Sequence, residues 1–332
     1  MANNLIPSVA PVARRVRAYF APVNRAAGLA TIFDASGIGG FNLNAPPVPW
    51  IDLGWCSAFA RKSGTKNEPL NTGAPEIAAG QVRTAVEAQV SLEFASWGKL
   101  QLALSAGVQQ MNVLRVQPGA APNGSGGSAV AAASLTPGSS MTSATVLDVG
   151  STAAAGFVIG DVVAVDVDYA GQTGFVGSGV SGGYVKSVAA IGSDLDYVRR
   201  ITLNVARVTA IAGGLLTLGS ALIAGVPASA MKVSRVVGFC DREGGSYFQE
   251  WSALFCLQGA EGDLVAFHYP RLQAMSGAAE IREALVGVQA AAGDMARIRL
   301  GGNFRALPVK DANDGELVVC FRSYLPGTMR AI

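Results

Sequence analysis

QVRTAVEAQVSLEFASWGKLQLALSAGV, residues Gln81 to Val108, carries two periodicities in succession. Val82, Thr84, Val86, Ala88, Val90, Leu92 and Phe94 alternate without a break against Gln81, Arg83, Ala85, Glu87, Gln89, Ser91 and Glu93. A period of two over that length is a strand with one dry face and one wet face. At about 3.3 Å per residue it spans roughly 45 Å, against about five or six residues for a usual strand. Ser96 is then placed to cap a helix. Behind it Trp97, Leu100, Leu104 and Val108 fall at the i, i+3, i+7, i+11 spacing that buries one helical stripe. A long half-wet strand feeding a short amphipathic helix predicts a sheet solvated on one face and covered by a helix on the other. It does not predict a catalytic cleft.

Composition agrees with that reading. With 332 residues the chain can hold one large domain or two ordinary ones. It is 50% hydrophobic and only 14% charged, enough to fill a core and too apolar for disorder. Abundant Ala, Val, Gly, Ser and Thr favour strands and turns over long helices. Lys and Arg (25) nearly balance Asp and Glu (23), which excludes a general electrostatic affinity for nucleic acid. Met1 to Val16 lacks a continuous apolar run, so no signal peptide is expected and folding in a reducing cytoplasm is. Cys56, Cys240, Cys256 and Cys320 show no CxxC spacing; buried free thiols are the simple reading, a disulfide or metal set the sharper one. Val208 to Met231 is uncharged and long enough to cross a bilayer, but Gly213-Gly214 splits it and Pro227 closes it, as in a hairpin outside the membrane.

Along the chain, Asn3–Pro11 reads as a loose arm, Arg14–Val23 as a first strand, and Gly28–Pro49 as a folded-back loop. Trp50–Phe59 resumes extended structure through Ile51-Asp52-Leu53-Gly54-Trp55. Arg61–Gly80, with Arg61, Lys62, Lys66, Asn67 and Glu68 among Gly, Pro and Thr, reads as a polar loop, either a contact arm or a free surface loop. Met111–Val116 is a candidate strand, and Pro118–Gly127 a linker by composition. Short strands with glycine turns follow: Thr145–Val149, Asp161–Val167, Tyr184–Ala190, Arg200–Ala210 and Leu215–Leu218. Val233–Phe239 reads as the return to the first domain, with a hairpin over Ser246–Leu257 and Leu264–Tyr269 and a short helix over Ala278–Gln289 through Ile281, Leu285 and Val288. Met295–Pro308 alternates again, setting Arg297, Arg299 and Arg305 on one side; Asp311–Gly315 is a turn, and Glu316–Leu325 closes the chain. The expected fold is mainly β: an antiparallel sandwich or barrel-forming domain (1–117 and 236–332) with one short flanking helix. It is split, after a linker at 118–127, by an inserted small barrel or sandwich over 128–232.

The residues offer little catalytic chemistry. His268 is the only histidine and sits in an apolar strand, so it reads as a structural imidazole, and nucleophilic triads or His-based zinc sites lack a partner pattern. Gly177–Gly182 matches GxGxxG without the helix that would hold a pyrophosphate, and reads as a β-turn. Asp161, Asp166, Asp168, Asp194 and Asp196 could gather for calcium or simply mark the wet side of a strand. Arg297, Arg299 and Arg305 on one strand and Glu87 and Glu93 on another could pair across a sheet, each pair contributing about 0.2–1 kcal/mol. No catalytic residue, cofactor or metal is expected.

The order of first strand, extended Ile51–Trp55 segment, long polar stretch, long alternating strand, short helix, hairpins and closing strand resembles the tail tube (major tail) proteins of tailed bacteriophages and related injection machines. The likeness covers 1–117 and 236–332 and rests on architecture, with no fixed motif. It implies a structural virion protein, not an enzyme, whose hexameric rings share their strands in a closed barrel and stack into a hollow tube that DNA crosses in transit. Gln81, Arg83, Glu87, Gln89 and Glu93 would face the lumen, with Arg297, Arg299 and Arg305 nearby. The helix from Trp97 to Val108 would lie outside, and Arg61, Lys62, Lys66, Asn67 and Glu68 would reach the next ring. The inserted module would sit on the exterior, as in a flexible non-contractile tail. Implied partners are further copies of the chain and tail proteins such as a tape measure and a terminator, with assembly in the host cytoplasm and no membrane. Other readings are a capsid decoration or neck protein, or a carbohydrate-binding β-module.

Overall fold

The computed structural model describes residues 13–24, 29–47, 49–107, 109–124, 129–166, 204–223, 225–243, 250–259, 262–275, 280–284 and 296–326. The chain begins with β1 (Ala13–Asn24), β2 (Leu29–Ala30), β3 (Ile51–Thr72), β4 (Ile77–Phe94) and helix α1 (Lys99–Ala106). There follow β5 (Gln109–Leu114), β6 (Ala133–Ser134), β7 (Val146–Asp148), α2 (Gly150–Ala154), β8 (Val162–Asp166), β9 (Val205–Ala212), β10 (Leu215–Leu218) and β11 (Lys232–Arg242). The last elements are β12 (Glu250–Gly259), β13 (Leu264–Ala274), β14 (Glu280–Ala284), β15 (Ala296–Leu307), β16 (Val309–Lys310), β17 (Leu317–Val318) and β18 (Phe321–Leu325). The fold is mainly β, with two large antiparallel sheets, and no helix among the described residues is long and apolar enough to cross a membrane.

The first sheet closes on itself. β15 pairs with β4, β4 with β3, β3 with β1, β1 with β12, β12 with β13, and β13 returns to β15. Closure is possible because β13 divides one edge between two neighbours: Leu264–His268 take β18 and Arg271–Ala274 take β15. Pro270, which has no N–H to offer a ladder, lies where the partner changes. Alternate side chains from every strand of the ring fill one core, with Phe20, Phe94, Trp251, Phe255, Tyr269 and Phe304 its largest members. Gly302 permits that packing, since a Cβ there would lie 2.8 Å from the Phe304 ring and 3.0 Å from Phe94.

β12 is buried on both faces, which is why it reads as the unbroken run Trp251–Cys256 instead of alternating. Its outer side, with Tyr19, Ala21 and Ala266, is covered by Phe33 and Phe41 from the folded-back loop and by Trp50 just after it. His268 lies beneath that cover and is almost wholly buried.

The second sheet runs β5–β11–β8–β9–β10–β7, with β6 also on β11. Its core gathers Leu147, Val163, Val165, Val208, Leu216 and Val233. The uncharged Val208–Met231 stretch holds the β9–β10 hairpin, and Gly213 and Gly214 (φ +58° and +92°) supply the left-handed turn such a two-residue connection needs. Gly214 also has no room for a Cβ, which would fall 2.8 Å from the Gly150 backbone.

Four local readings need correction. Arg61–Gly80 is not a loop: β3 continues to Thr72, turns at Gly73–Glu76 and returns in β4. The 280–284 part of the expected helix is strand β14, whose helix-forming residues are overridden by the free edge of β15; Leu285 and Val288 lie outside the described residues. The segments read as bracketing the inserted module, now β5 and β11, pair with each other in the second sheet. The single closing strand expected over Glu316–Leu325 is two, β17 and β18. The Asp311–Gly315 turn is present, with Asp311 N–H bonded to Glu316 O at 2.8 Å. Asn3–Pro11, Gly177–Gly182, Tyr184–Ala190, Asp168, Asp194 and Asp196 lie outside the described residues.

Candidate assembly surface

β3 and β4 pair from Cys56 opposite Phe94 out to Thr72 opposite Ile77. Neighbouring strands support only the root of this hairpin. β1 accompanies β3 as far as Cys56, and β15 accompanies β4 as far as Gln89. Beyond, among the described residues, the two strands pair only with each other, and every side chain from Lys62 to Glu87 is exposed. At about 3.3 Å per residue the arm from Lys62 to Thr72 projects roughly 30 Å.

The strand period divides the arm into two faces. Ala88, Val90, Leu92 and Phe94 are buried in the barrel core. Val86 continues that side outward and is 45% exposed, but the ladder then slips by one residue, Lys66 standing opposite Ala85 and Asn67 opposite Arg83, so Val82 (44% exposed), opposite Glu68, turns to the other side. The expected dry face is therefore dry only from Ala88 to Phe94, and farther out the slips in the ladder break its alternation. Leu70 and Ile77 add exposed apolar surface toward the tip. On the opposite face Lys62 lies across from Gln89 and Lys66 across from Ala85, with Gly64 opposite Glu87. A hollow of about 460 Å³ opens among Lys62, Lys66, Glu87 and Gln89. Lys62 and Lys66 are balanced there by Glu68 and Glu87, while Arg83, opposite Asn67 beyond the slip, falls on the other side. The Lys66–Glu68 pair, 3.7 Å apart and highly exposed, adds little. Asn67 stands opposite Arg83, and Gln81 opposite Pro69.

The sequence-marked residues fall into separate groups. Arg61 belongs to the root: its Nε donates to Tyr269 Oη at 3.0 Å and its guanidinium lies 4.9 Å from the Phe267 ring centre. Burial pushes the Tyr269 phenol up to about 12, against the opposing pull of that hydrogen bond. Gln89, Glu93, Arg299 and Arg305 share one face, because Gln89 stands opposite Arg305 and Glu93 opposite Gly301. Arg299 Nη1 donates to Glu93 Oε2 at 2.7 Å, and Ser57 Oγ donates to the same oxygen at 3.2 Å. This is the cross-strand pairing the alternation predicts. Gln81, Arg83 and Glu87 lie farther out, on the arm. The backbone of Arg297 pairs opposite Glu283; its side chain is outside the described residues.

The helix stripe is only partly as expected. Leu100 and Leu104 are buried against the barrel, and Ser105 Oγ donates to Gly301 O at 2.6 Å. Trp97 does not join them: the helix begins at Lys99, past Ser96, so Trp97 falls in the link before it and is 52% exposed. Its Nε1 donates to Ile298 O at 3.1 Å. Val108 lies outside the described residues. Neither the exposure of Val86 nor that of Ile298 is legible from sequence alone.

The buried polar groups are held in structural roles. His268 Nε2 accepts from Phe33 N–H at 3.2 Å, which requires that nitrogen unprotonated and leaves Nδ1–H to donate to Ala253 O at 3.3 Å. Burial depresses the imidazole to about 4. All four cysteines are free thiols, and burial pushes Cys56 and Cys256 up to about 12, away from the reactive thiolate. Asp161 accepts from Val158 N–H at 2.9 Å and lies 3.8 Å from Arg235 Nη1. No group of three or more His, Cys, Asp or Glu placed to hold a metal occurs among the described residues. The chain matches no protein-family model, and no curated protein matches it.

Proposed function

We propose that this is a structural virion protein that assembles with copies of itself into stacked, hexameric rings forming a phage tail tube. The observation that carries the proposal is the hairpin arm, whose strands pair only with each other among the described residues and whose side chains from Lys62 to Glu87, Val82 and Val86 included, are all exposed. Covering each valine would contribute about 1 kcal/mol. A long arm with unpaired edges is a hazard for a monomer and a joint for an assembly. The Glu93–Arg299 pair supports a lumen role for that face, since a neutralised arginine does not grip passing DNA. In this reading the protein is not an enzyme. It works in the virion tail after assembly in the host cytoplasm, contacting tape measure and terminator proteins at the tube's ends, with the second sheet outward. Electron microscopy of the purified chain tests it: stacked hollow rings are expected, and monomers at every concentration would contradict it.

A further inference from the structure

Residues 29–47 lie over the outer face of the barrel and are tied to it by hydrogen bonds along their length. Ser252 Oγ donates to Thr31 O at 2.5 Å, and Phe33 N–H donates to His268 Nε2 at 3.2 Å. Farther on, Tyr19 Oη donates to Leu43 O at 2.8 Å and Arg17 Nη1 to Asn44 Oδ1 at 2.7 Å. Of these ties, the one to His268 is the one mild acid breaks, because the ring accepts through a nitrogen that must stay bare. Around the imidazole stand the rings of Phe33, Trp50 and Phe321, with centres 6.2, 5.8 and 6.0 Å away, and Ala253 O. The carboxylates on the elements packed there are already engaged: Asp34 by Ser36, Asp52 by Arg17, Glu250 by Arg271 and Asp263 by Tyr324. Tyr19 and Cys256, in the same cluster, are kept neutral by burial, and Arg322 takes the opposite face beside Phe267.

We propose that protonating His268 releases residues 29–47 from the outer face of the barrel while the barrel itself stays closed. A proton on Nε2 would set two donors, Nε2–H and Phe33 N–H, against each other in a dry site, and lifting the segment lets water reach both. The barrel need not follow, because the residues beneath the segment form a cluster of their own. Tyr19, Leu254, Cys256 and Ala266 face outward to it, whereas Ala18, Phe20, Phe255 and Tyr269 face the main core. The covered ring is held near 4 and a solvated one titrates at 6.5. The tie is therefore complete above pH 6.5 and weakens as pH falls toward 4, the opened fraction growing up to tenfold per pH unit between them. The inference stands on the fold of the single chain and is independent of the assembly reading.

Cys256, wholly buried beneath the segment, reports the opening. In the full chain carrying Cys56→Ser, Cys240→Ser and Cys320→Ser, its reaction with dithiodipyridine is timed at each pH. Dividing by the rate for the urea-unfolded chain at the same pH removes the thiol's own titration. The protection so measured should fall about twentyfold from pH 7 to pH 5, and should stay flat when His268→Gln is added. Constant protection with His268 in place, or an equal fall without it, would overturn the proposal. Hydrogen exchange of the wild-type chain repeats the test without substitutions. Residues 29–47 should lose protection over the same range while β1 and β12 keep theirs; loss from all three together would mean that the barrel opens too, and would contradict the proposal.

Discussion

Strand β4 is one sequence pattern in two environments. From Ala88 to Phe94 every second side chain is sealed in the barrel; outward of Ala88 every side chain stands in solvent, and the ladder slips by a residue between Val86 and Val82. The inner half has β3 on one side and β15 on the other, whereas the outer half has β3 alone. Periodicity in a sequence thus reports which side chains are made to be covered, and not whether their own chain covers them. The outer half is the part that the proposed assembly would cover.

The sharpest way to break that comparison is to place the same charge in each half. Leu92→Asp buries a carboxylate in the barrel core and should cost about 4 kcal/mol or more, leaving little soluble folded protein. Urea unfolding or solubility after expression measures this, and a stable folded variant would mean the inner half is not packed as described.

A second contrast, between the covered outer face of the barrel and the bare arm, appears in the pH dependence of stability. His268 is held near 4 when folded, against an ordinary value of 6.5, so the unfolded chain takes up the proton first as pH falls. Stability from this group is complete above pH 6.5 and is lost as pH drops toward 4, by about 3 kcal/mol in total. No other histidine is present, so the slope between pH 6.5 and 5 should vanish in His268→Leu. Its persistence in denaturation curves of that variant would contradict the burial of the ring beneath Phe33 and Trp50.

Smaller effects are expected on the charged face at the root. Glu93→Gln weakens the bond to a part-exposed Arg299 and should cost about 0.5–1 kcal/mol, less at high salt. Thermal melts at two ionic strengths check both size and salt dependence.

How far the sequence could be read follows the same division. Strands that alternate against their own core were legible: β1, the inner half of β4, and β15 with its Arg299 turned toward Glu93. So were turns with a specific chemistry, Gly213-Gly214 and Asp311–Gly315. Residues 61–80 read as a loop because a hairpin exposed on both faces needs no apolar alternation; its backbone ladder suffices. Glu280-Ile281-Arg282-Glu283-Ala284 has helical preference and is a strand only because β15 offers an edge, a fact no local window contains. Trp97 fits a helical period, but Gly98 follows it and the helix starts at Lys99. The pairing of β5 with β11 joins segments more than a hundred residues apart in sequence, where local periodicity carries no information about partners.

The measurement that bears most directly on the outer half is sedimentation velocity of the wild-type chain beside Val86→Asp. Because Val86 is solvated in the single chain, the variant should keep its fold within about 0.5 kcal/mol. The account predicts large, concentration-dependent assemblies for the wild type and a folded monomer for the variant. Identical sedimentation of the two, whether both monomeric or both assembled, would contradict it.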